Sequence, residues 1–194
     1  YQIDLSKDHT YPMPKTLNNF NTTNNNPKVG IAPFAKHIGK VYPLDLMQKI
    51  IAYLSQKNQV FLFGFGDELK ILEKWNNSYK NVNCPSSNTN FSQEIELISN
   101  LDLMISMDSA NGHIASIYNV PVITIWGLTH PFTGFSTFNS IQENQFTVDR
   151  TKFPLIPTSI YGNKKIKGYE DAMRSIDLNG ILYRAEQILN QTSS

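Results

Sequence analysis

Cysteine, long apolar runs and excess charge are all scarce in this chain of 194 residues. The single cysteine, Cys84, forms no internal disulfide, which is compatible with a reducing compartment and predicts a cytoplasmic protein. No apolar run approaches the roughly 20 residues of a transmembrane helix, and no signal-peptide core is recognisable. Lysine and arginine total 17 against 16 aspartates and glutamates, so the net charge gives no reason to expect nucleic acid as a partner.

Residues 1–27 have the composition of a linker. They contain three prolines and the asparagine-rich run NNFNTTNNN, and such a segment buries too little apolar surface to order itself. The regular alternation of apolar and polar residues begins at Lys28. The sequence therefore predicts a linker over 1–27 and one domain over 28–194.

From Lys28 onward, short apolar runs alternate with helical patterns. VGIAP predicts a strand, and the following helix carries Met47, Ile50, Ile51 and Leu54 on one face. The predicted elements after these are a strand in QVFLFGFGDE, helices over 69–75 and 91–100, strands over 103–107 and 120–125, a short strand over 145–148 and a helix over 178–190. This order predicts an α/β fold, a Rossmann-like parallel sheet with helices on both faces.

The stretch MISMDSANGHIASIYNVPVITIW is the most informative part of the chain. Its first apolar run ends at Asp108, Ser109 and Asn111, and a small-residue helix is predicted to start around His113. The polar residues therefore lie at the carboxyl end of a strand, where open α/β sheets bind ligands. The amino end of the new helix offers backbone N–H groups to an anion such as phosphate.

Four loops that follow strands are expected to meet at one edge of the sheet. They cover residues 33–40, 64–68, 108–113 and 126–131. Lysines, a helix amino end, a carboxylate and two histidines together suit a nucleoside diphosphate, because lysine neutralises phosphate and a carboxylate accepts hydrogen bonds from ribose.

Each of these residues could also have a role in the fold without binding a ligand. Asp108 and Ser109 could cap the helix, and His113 could be a semi-buried histidine with satisfied hydrogen bonds. Lys36 and Lys40 could be ordinary solvated lysines. Gly64-Phe65-Gly66 lacks the third glycine of a dinucleotide fingerprint and is typical of a turn. No cysteine or paired histidine accompanies His37 or His130, so no metal site is predicted.

Four motifs resemble the carboxyl-terminal half of family 9 glycosyltransferases, the lipopolysaccharide heptosyltransferases. MDSANGHIASIYNVPVITIWGLTHP is similar to the family's D-[ST]-G/A-x-x-H-x-A-A stretch, a strand and G-x-T-x-P. VGIAPFAKHIGKVYP matches a strand, a small-residue loop and K-x-[WY]-P. FLFGFGDE and the tail SIYGNKK support them, and the resemblance covers roughly residues 28–190.

The resemblance implies the two-domain GT-B fold, with this chain as its nucleotide-sugar half and residues 1–27 as the linker from an amino-terminal acceptor domain. By position, Lys40 resembles the lysine that holds the donor phosphates, and Glu68 the carboxylate that meets the ribose. Thr89 falls near the stretch that frames the adenine. The loop that wraps the diphosphate and the transferred sugar corresponds to Asp108, Ser109, Ala110, Asn111, Gly112 and His113.

The implied reaction is an inverting transfer of a heptose-like sugar from an ADP-linked donor to lipopolysaccharide or a related glycan. The resemblance implies no cofactor and no metal. It places the general base in the amino-terminal domain, so no catalytic residue is expected here, and the chain alone is expected to bind the donor without turnover. The residues themselves leave the sugar, the acceptor and the choice among adenine, guanine and uracil open.

Relatives often carry a cysteine cluster where this chain has Leu155, Thr158, Ile166 and Ala172, so residues 151–173 must be held by packing. The lysines of this segment, with Arg150, are compatible with contact to anionic lipid at the inner face of the inner membrane or to an anionic acceptor glycan, and equally with a solvated loop. Two rival functions stay open, a non-catalytic nucleotide-binding scaffold and a dehydrogenase half. The incomplete glycine fingerprint argues against the dehydrogenase.

Overall fold

The structure, a computed structural model, describes residues 10–16, 26–138 and 140–192, and one six-stranded parallel sheet organises it. The strands are β1 (Lys28–Ala32), β2 (Gln59–Leu62), β3 (Val82–Asn83), β4 (Leu103–Met107), β5 (Val122–Ile125) and β6 (Gln145–Phe146). The α-helices are α1 (Leu44–Leu54), α2 (Leu69–Ser78), α3 (Phe91–Ile98), α4 (Ala110–Ile117) and α5 (Leu178–Thr192). The spatial order is β3-β2-β1-β4-β5-β6.

Alternate residues of each central strand enter two different cores. In β1 and β4, Val29 and Ile105 face one core, whereas Ala32 and Met104 face the other. The same alternation separates the residues of β2 and β5. This period of two is what a strand buried on both faces requires, because successive side chains point to opposite sides of a sheet.

The face on which each helix packs depends on the side of β1 to which the chain adds its next strand. From β1 the chain proceeds to β2 and β3 on one side, and it then returns to β4 and β5 on the other. Crossovers of one hand therefore place α1 and α2 on one face and α3 and α4 on the opposite face. Helix α5 returns to the first face, where Ile181, Ala185 and Ile188 are buried in its core.

The predicted Rossmann-like sheet with helices on both faces is confirmed, with a difference at each end. The two-residue strand β3 was not predicted, and β6 ends two residues earlier than the sequence suggested. The helix predicted to begin around His113 begins at Ala110, so that prediction was wrong by about one turn.

Residues 10–16 contact the domain although their composition resembles that of a linker. The backbone N–H of Lys15 donates to Ser99 Oγ at 3.0 Å, and Asn100 Nδ2 donates to the Lys15 carbonyl at 2.8 Å. The ring of Tyr11 lies edge-on to Phe138 at 6.1 Å. The boundary between linker and domain stays a prediction, and residues 1–9 and 17–25 lie outside the described residues.

The irregular segment after β6 is held by packing, as the sequence predicted. Ile156 and Met173 are buried in the larger core, and the rings of Phe153 and Tyr169 meet at 5.1 Å. Arg150 Nε donates to the Ile156 carbonyl at 2.9 Å, and the Ile156–Pro157 peptide bond is cis. None of the helices in the described ranges has the length and apolar character needed to cross a membrane.

Candidate functional site

Strands β1 and β4 are neighbours at the point where the strand order reverses. The chain leaves β1 toward α1 on one face, and it leaves β4 toward α4 on the other. In α/β folds of this type, ligands bind at the carboxyl edge of the sheet beside such a point. Lys40 lies in the loop after β1, and Asp108 directly follows β4.

A buried ion pair joins these two loops. Lys40 Nζ lies 2.5 Å from Asp108 Oδ2, and the two side chains are only 13% and 7% exposed. The backbone N–H of Tyr42 donates to Met107 Sδ at 3.1 Å, which fixes the loop after β1 to the end of β4. Since an ammonium group has three donors, the contact to Asp108 leaves Lys40 able to meet a second anion.

Neither Asp108 nor Ser109 caps the helix through its side chain, so the capping interpretation was wrong. Ser109 is extended, with φ −149° and ψ 168°, and α4 starts at the next residue. Its hydroxyl lies 3.0 Å from Ser106 Oγ rather than on a helix N–H, and the Asp108 carboxylate is taken by Lys40. The first N–H groups of α4 therefore have no side-chain cap from Ser109.

The remaining predicted residues of this loop occupy the first turn of α4. Ala110 is exposed and Asn111 is half-buried beside it. Gly112 is buried against β4, and a Cβ there would lie 3.1 Å from Ser106 Oγ, so the glycine lets the helix approach the strand. His113 is half-buried, and its carbonyl accepts the Ser116 hydroxyl at 2.8 Å.

A cleft of about 500 Å³ opens beside the amino end of α4. Its wall consists of the loop after β2, the short helix before α3, the exposed side of α3 and the start of α4. The lining residues are Gly64, Phe65, Gly66, Leu69, Ser86, Thr89, Phe91, Glu94, Ile98, Ala110, Asn111 and Ile114. Ala110 and Asn111 thus connect the cleft to the loop that contains Asp108.

The two predicted nucleoside residues have different positions relative to this cleft. Thr89 lines it, with its hydroxyl donating to the Pro85 carbonyl at 2.9 Å. Glu68 does not line it, and its Oε2 accepts the backbone N–H of Phe65 at 3.0 Å. The carboxylate on the cleft wall is Glu94, which the sequence analysis did not single out.

Gly64-Phe65-Gly66 forms a turn, as its residues suggested, and it also lines the cleft. Gly66 has φ +60° and starts the short helix Gly66–Glu68. The ring of Phe65 at this turn is 81% exposed and lines the cleft. The ring of Phe91, which is 67% exposed, also lines it. Sequence reasoning missed both rings, although their position beside the predicted turn and at the start of a helix is a usable signal.

The loop after β5 joins the site from the other side, so the predicted convergence of the four loops is confirmed. The backbone N–H of Leu128 donates to the Gly39 carbonyl at 2.8 Å. His130 Nδ1 accepts the N–H of Phe132 at 3.4 Å, and the two rings lie 4.1 Å apart. Burial, together with the nearby positive charge of Arg150, lowers the pKa of His130 below its usual range.

No three His, Cys, Asp or Glu side chains within the described ranges lie close enough to hold a metal ion. The independence from metal and cofactor stays a prediction.

The fold is a parallel α/β domain whose switch point, where the strand order reverses, lies between β1 and β4, the place where such folds bind ligands. The family model of glycosyltransferase family 9 (heptosyltransferase) matches residues 3–165. This chain therefore belongs to glycosyltransferase family 9.

The curated relative lipopolysaccharide heptosyltransferase 3 of Escherichia coli (strain K12) is 32% identical over 120 residues, which is 59% of this chain and 35% of the relative. The matched region thus spans about a third of that protein's length.

Solved heptosyltransferases share the fold. The E. coli ADP-heptose lipopolysaccharide heptosyltransferase II matches with a TM-score of 0.63 and 16% identity over 88% of this chain and 48% of that one. E. coli heptosyltransferase WaaC with ADP matches with a TM-score of 0.61 and 15% identity over 86% and 45%. At this identity the likeness concerns the fold, and the matched region is about half of each solved chain.

Proposed function

We propose that this chain is the donor-binding domain of an inverting glycosyltransferase that transfers a heptose-like sugar from a nucleoside diphosphate sugar to lipopolysaccharide or a related glycan. The observation that carries the proposal is the buried Lys40–Asp108 pair at the switch point, with the amino end of α4 and an open cleft beside it. Two similar structures are those of an ADP-heptose heptosyltransferase and of a heptosyltransferase with ADP, which supports an ADP-linked donor.

The diphosphate of the donor is proposed to bind at Lys40 and the first turn of α4. Asp108 holds the Lys40 ammonium group on one side and leaves its other protons for phosphate oxygens. Backbone N–H groups from Ala110 onward add the positive end of a helix dipole. When the sugar leaves the diphosphate, these fixed donors would stabilise the charge that develops on the leaving group.

The nucleoside is proposed to occupy the cleft. The rings of Phe65 and Phe91 offer exposed surfaces on which a base can stack. Thr89, which lies between them in the sequence, also lines the cleft. Glu94 faces the cleft, and Glu68 lies at its edge with one oxygen held by Phe65 N–H. The ribose hydroxyls would donate to these carboxylates.

The sugar would extend from the diphosphate past Asn111 and His113. In the proposed inverting reaction, a deprotonated hydroxyl of the acceptor attacks the anomeric carbon, and the nucleoside diphosphate leaves from the opposite face. We assign no general base to this domain, because the family resemblance places that carboxylate in the amino-terminal domain. The chain alone is expected to bind the donor without transferring sugar.

The surface formed by two segments near the candidate site, residues 129–142 and 150–169, is proposed to meet the anionic acceptor or its membrane. Residues 129–142 and 150–169 contain no aspartate or glutamate. Phe132, Ile160 and Tyr161 are each more than half exposed there, and Arg150 lies 5.1 Å from the Phe132 ring centre. Interfacial aromatic rings beside lysines suit the inner face of the inner membrane. Anionic vesicles should retain the chain, and Lys164→Glu with Lys165→Glu should release it.

Calorimetric titration with ADP, GDP, UDP and NAD tests the proposal. Selective ADP binding that weakens in Lys40→Ala and Asp108→Ala, and not in Lys57→Ala, would support it. Lys57 is an exposed lysine beyond the end of α1, at the opposite edge of the sheet, and serves as the matched control. Preference for NAD would favour a dehydrogenase, and binding to none of the four would contradict the proposal.

The rival function, a non-catalytic scaffold of the same fold, differs in turnover rather than in nucleotide binding. ADP binding combined with no sugar transfer when the chain is joined to an amino-terminal acceptor domain would favour the scaffold. Transfer by the joined protein and none by the chain alone would support the donor-domain assignment.

A further inference from the structure

Three stretches of backbone pack against one another around Lys40. The first is residues 39–40 after β1, the second is 127–129 after β5, and the third is 158–162 in the tail. The Leu128 N–H donates to the Gly39 carbonyl at 2.8 Å, and the Thr158 N–H donates to the Leu128 carbonyl at 3.0 Å. The tail is thereby hydrogen-bonded to the loop that in turn holds the Lys40 loop.

Glycines occupy the contacts between these stretches. A Cβ on Gly39 would lie 2.7 Å from the Gly162 carbonyl oxygen, and a Cβ on Gly127 would lie 2.9 Å from Lys40 Cα. A Cβ on Gly162 would lie 2.9 Å from Thr129 Cγ2 and 3.1 Å from Lys40 Cγ. The backbone of Gly162 therefore lies directly against the aliphatic stem of Lys40, with no space for a side chain.

The turn that contains Gly162 is closed by its own hydrogen bonds. Gly162 has φ +65°, and its N–H donates to the Ser159 carbonyl at 3.2 Å. The Ser159 hydroxyl lies 2.7 Å from Asn163 Oδ1 and accepts the Asn163 N–H at 3.1 Å. The Thr158 hydroxyl donates to the Lys164 carbonyl at 2.7 Å. These contacts give the tail turn, residues 158–164, a defined shape.

We propose that the tail turn positions the Lys40 ammonium group for the diphosphate of the donor, with Gly162 as the positioning residue. The inference rests on the proposed function. Lysine has four rotatable side-chain bonds, and ordering them costs free energy when a ligand arrives. Gly162 restrains the aliphatic part of the Lys40 side chain, and Asp108 restrains its ammonium group. The side chain is therefore ordered when the protein folds, and binding of the ligand does not have to order it.

The test compares Gly162→Ala with Gly168→Ala. Both glycines have positive φ, +65° and +87°, so alanine strains the backbone at either position, but nothing lies within 4 Å of a Cβ on Gly168. We expect Gly162→Ala to weaken ADP binding by about three- to tenfold, the range expected for losing one pre-ordered side chain. Adenosine, which lacks phosphates, should bind both variants as it binds the wild type.

The adenosine arm separates positioning from a general loss of structure, because a misfolded cleft would weaken both ligands. If Gly162→Ala and Gly168→Ala bind ADP equally well, while Lys40→Ala weakens ADP binding relative to the wild type, this inference is overturned and the proposed function is not. Failure of the wild type to bind ADP would overturn the proposed function and this inference with it.

A second variant covers the case in which Gly162→Ala does not fold. Ser159→Ala removes both hydrogen bonds to Asn163 and adds no atom near Lys40. Its matched control is Ser78→Ala, which removes an exposed serine hydrogen bond at the end of α2. A loss of ADP affinity of about two- to threefold in Ser159→Ala alone, with adenosine unaffected, would support the inference. Equal affinities in the two serine variants would overturn it.

Discussion

The two ends of the candidate site differ in how much of their structure exists before a ligand binds. At the proposed phosphate end, Lys40 and Asp108 are 13% and 7% exposed and in contact with each other. At the proposed nucleoside end, Phe65 and Phe91 are 81% and 67% exposed. One end is a packed ion pair, and the other is an open cleft with exposed rings.

This difference indicates a division of tasks between the two ends. A buried charge needs a fixed partner because desolvation is costly, so the phosphate end is part of the stability of the fold. Exposed rings contribute little to folding and are free to adjust to a ligand. Substitutions at the phosphate end should therefore change stability and affinity together, whereas those at the nucleoside end should change affinity alone.

The largest effect is expected for Lys40→Ala. It leaves the Asp108 carboxylate buried without its partner, which should lower the free energy of unfolding by about 3 kcal/mol. It also removes a charged hydrogen bond to phosphate, which should weaken ADP binding roughly 30-fold. Chemical denaturation and calorimetry measure the two effects, with Lys57→Ala as the control.

A double variant tests whether the stability loss comes from the stranded carboxylate. Lys40→Met with Asp108→Leu removes both charges, and it should recover most of the lost stability because an apolar pair of similar volume avoids the desolvation cost. ADP binding should stay weak. Recovered ADP binding in the double variant, or no stability loss in Lys40→Ala, would contradict the role given to this pair.

At the open end, Phe65→Ala should weaken ADP binding about tenfold, which is the scale of one base stacked on an aromatic ring. Its free energy of unfolding should change by less than about 0.5 kcal/mol, because the ring is solvent-exposed in the free protein. Phe65→Tyr should keep the affinity. Tyr183→Ala on α5, another exposed aromatic at 63%, is the control. A large stability loss in Phe65→Ala would remove the contrast between the two ends.

A smaller effect should distinguish the two carboxylates of the nucleoside end. Glu94→Gln is expected to weaken ADP binding about fivefold, equivalent to one hydrogen bond from a ribose hydroxyl. Glu68→Gln should have less effect, since Glu68 already accepts the Phe65 N–H and glutamine preserves that bond. Neither change should alter the affinity for 2′,3′-dideoxy-ADP. A larger loss in Glu68→Gln would favour the ribose carboxylate that the sequence pattern indicated.

The sequence predicted the sheet because its strands are buried on both faces. All five residues of Leu103–Met107 are buried and four of them are apolar, and helical patterns of ordinary length separate such runs. Strand β3 could not be predicted in this way, since it has two residues and only Val82 is buried. The start of α4 was misplaced because Asn111 and Gly112 are poor helix formers, and the extended backbone of Ser109 sets the boundary.

Of the candidate site, the sequence singled out Lys40 and Asp108 but not the contact between them. Lys40 and Asp108 are 68 positions apart, and their contact depends on the adjacency of β1 and β4, which no local pattern encodes. The contact between Gly162 and Lys40 likewise depends on how an irregular tail crosses the edge of the sheet. Glu94 was missed because one acidic residue on an exposed helix face resembles any solvated residue.

The smallest effect is a pH dependence from His130, beside the phosphate end. Burial and Arg150 lower its pKa, and its Nδ1 accepts the Phe132 N–H, which requires the neutral ring. The unfolded chain protonates this residue near its ordinary pKa of about 6.5, so stability should fall as pH decreases through that value and level off below the folded pKa.

His130→Asn should remove this slope. Asparagine can still accept the Phe132 N–H as a cap but does not titrate. The difference in free energy of unfolding between pH 7.5 and pH 5 should therefore be smaller than in the wild type by a few tenths of a kcal/mol. Because Lys40 and Asp108 are unchanged in this variant, ADP affinity at pH 7.5 should equal that of the wild type. A loss of affinity at that pH would place His130 among the groups that contact the donor, and would extend the pre-formed end of the site to the loop after β5.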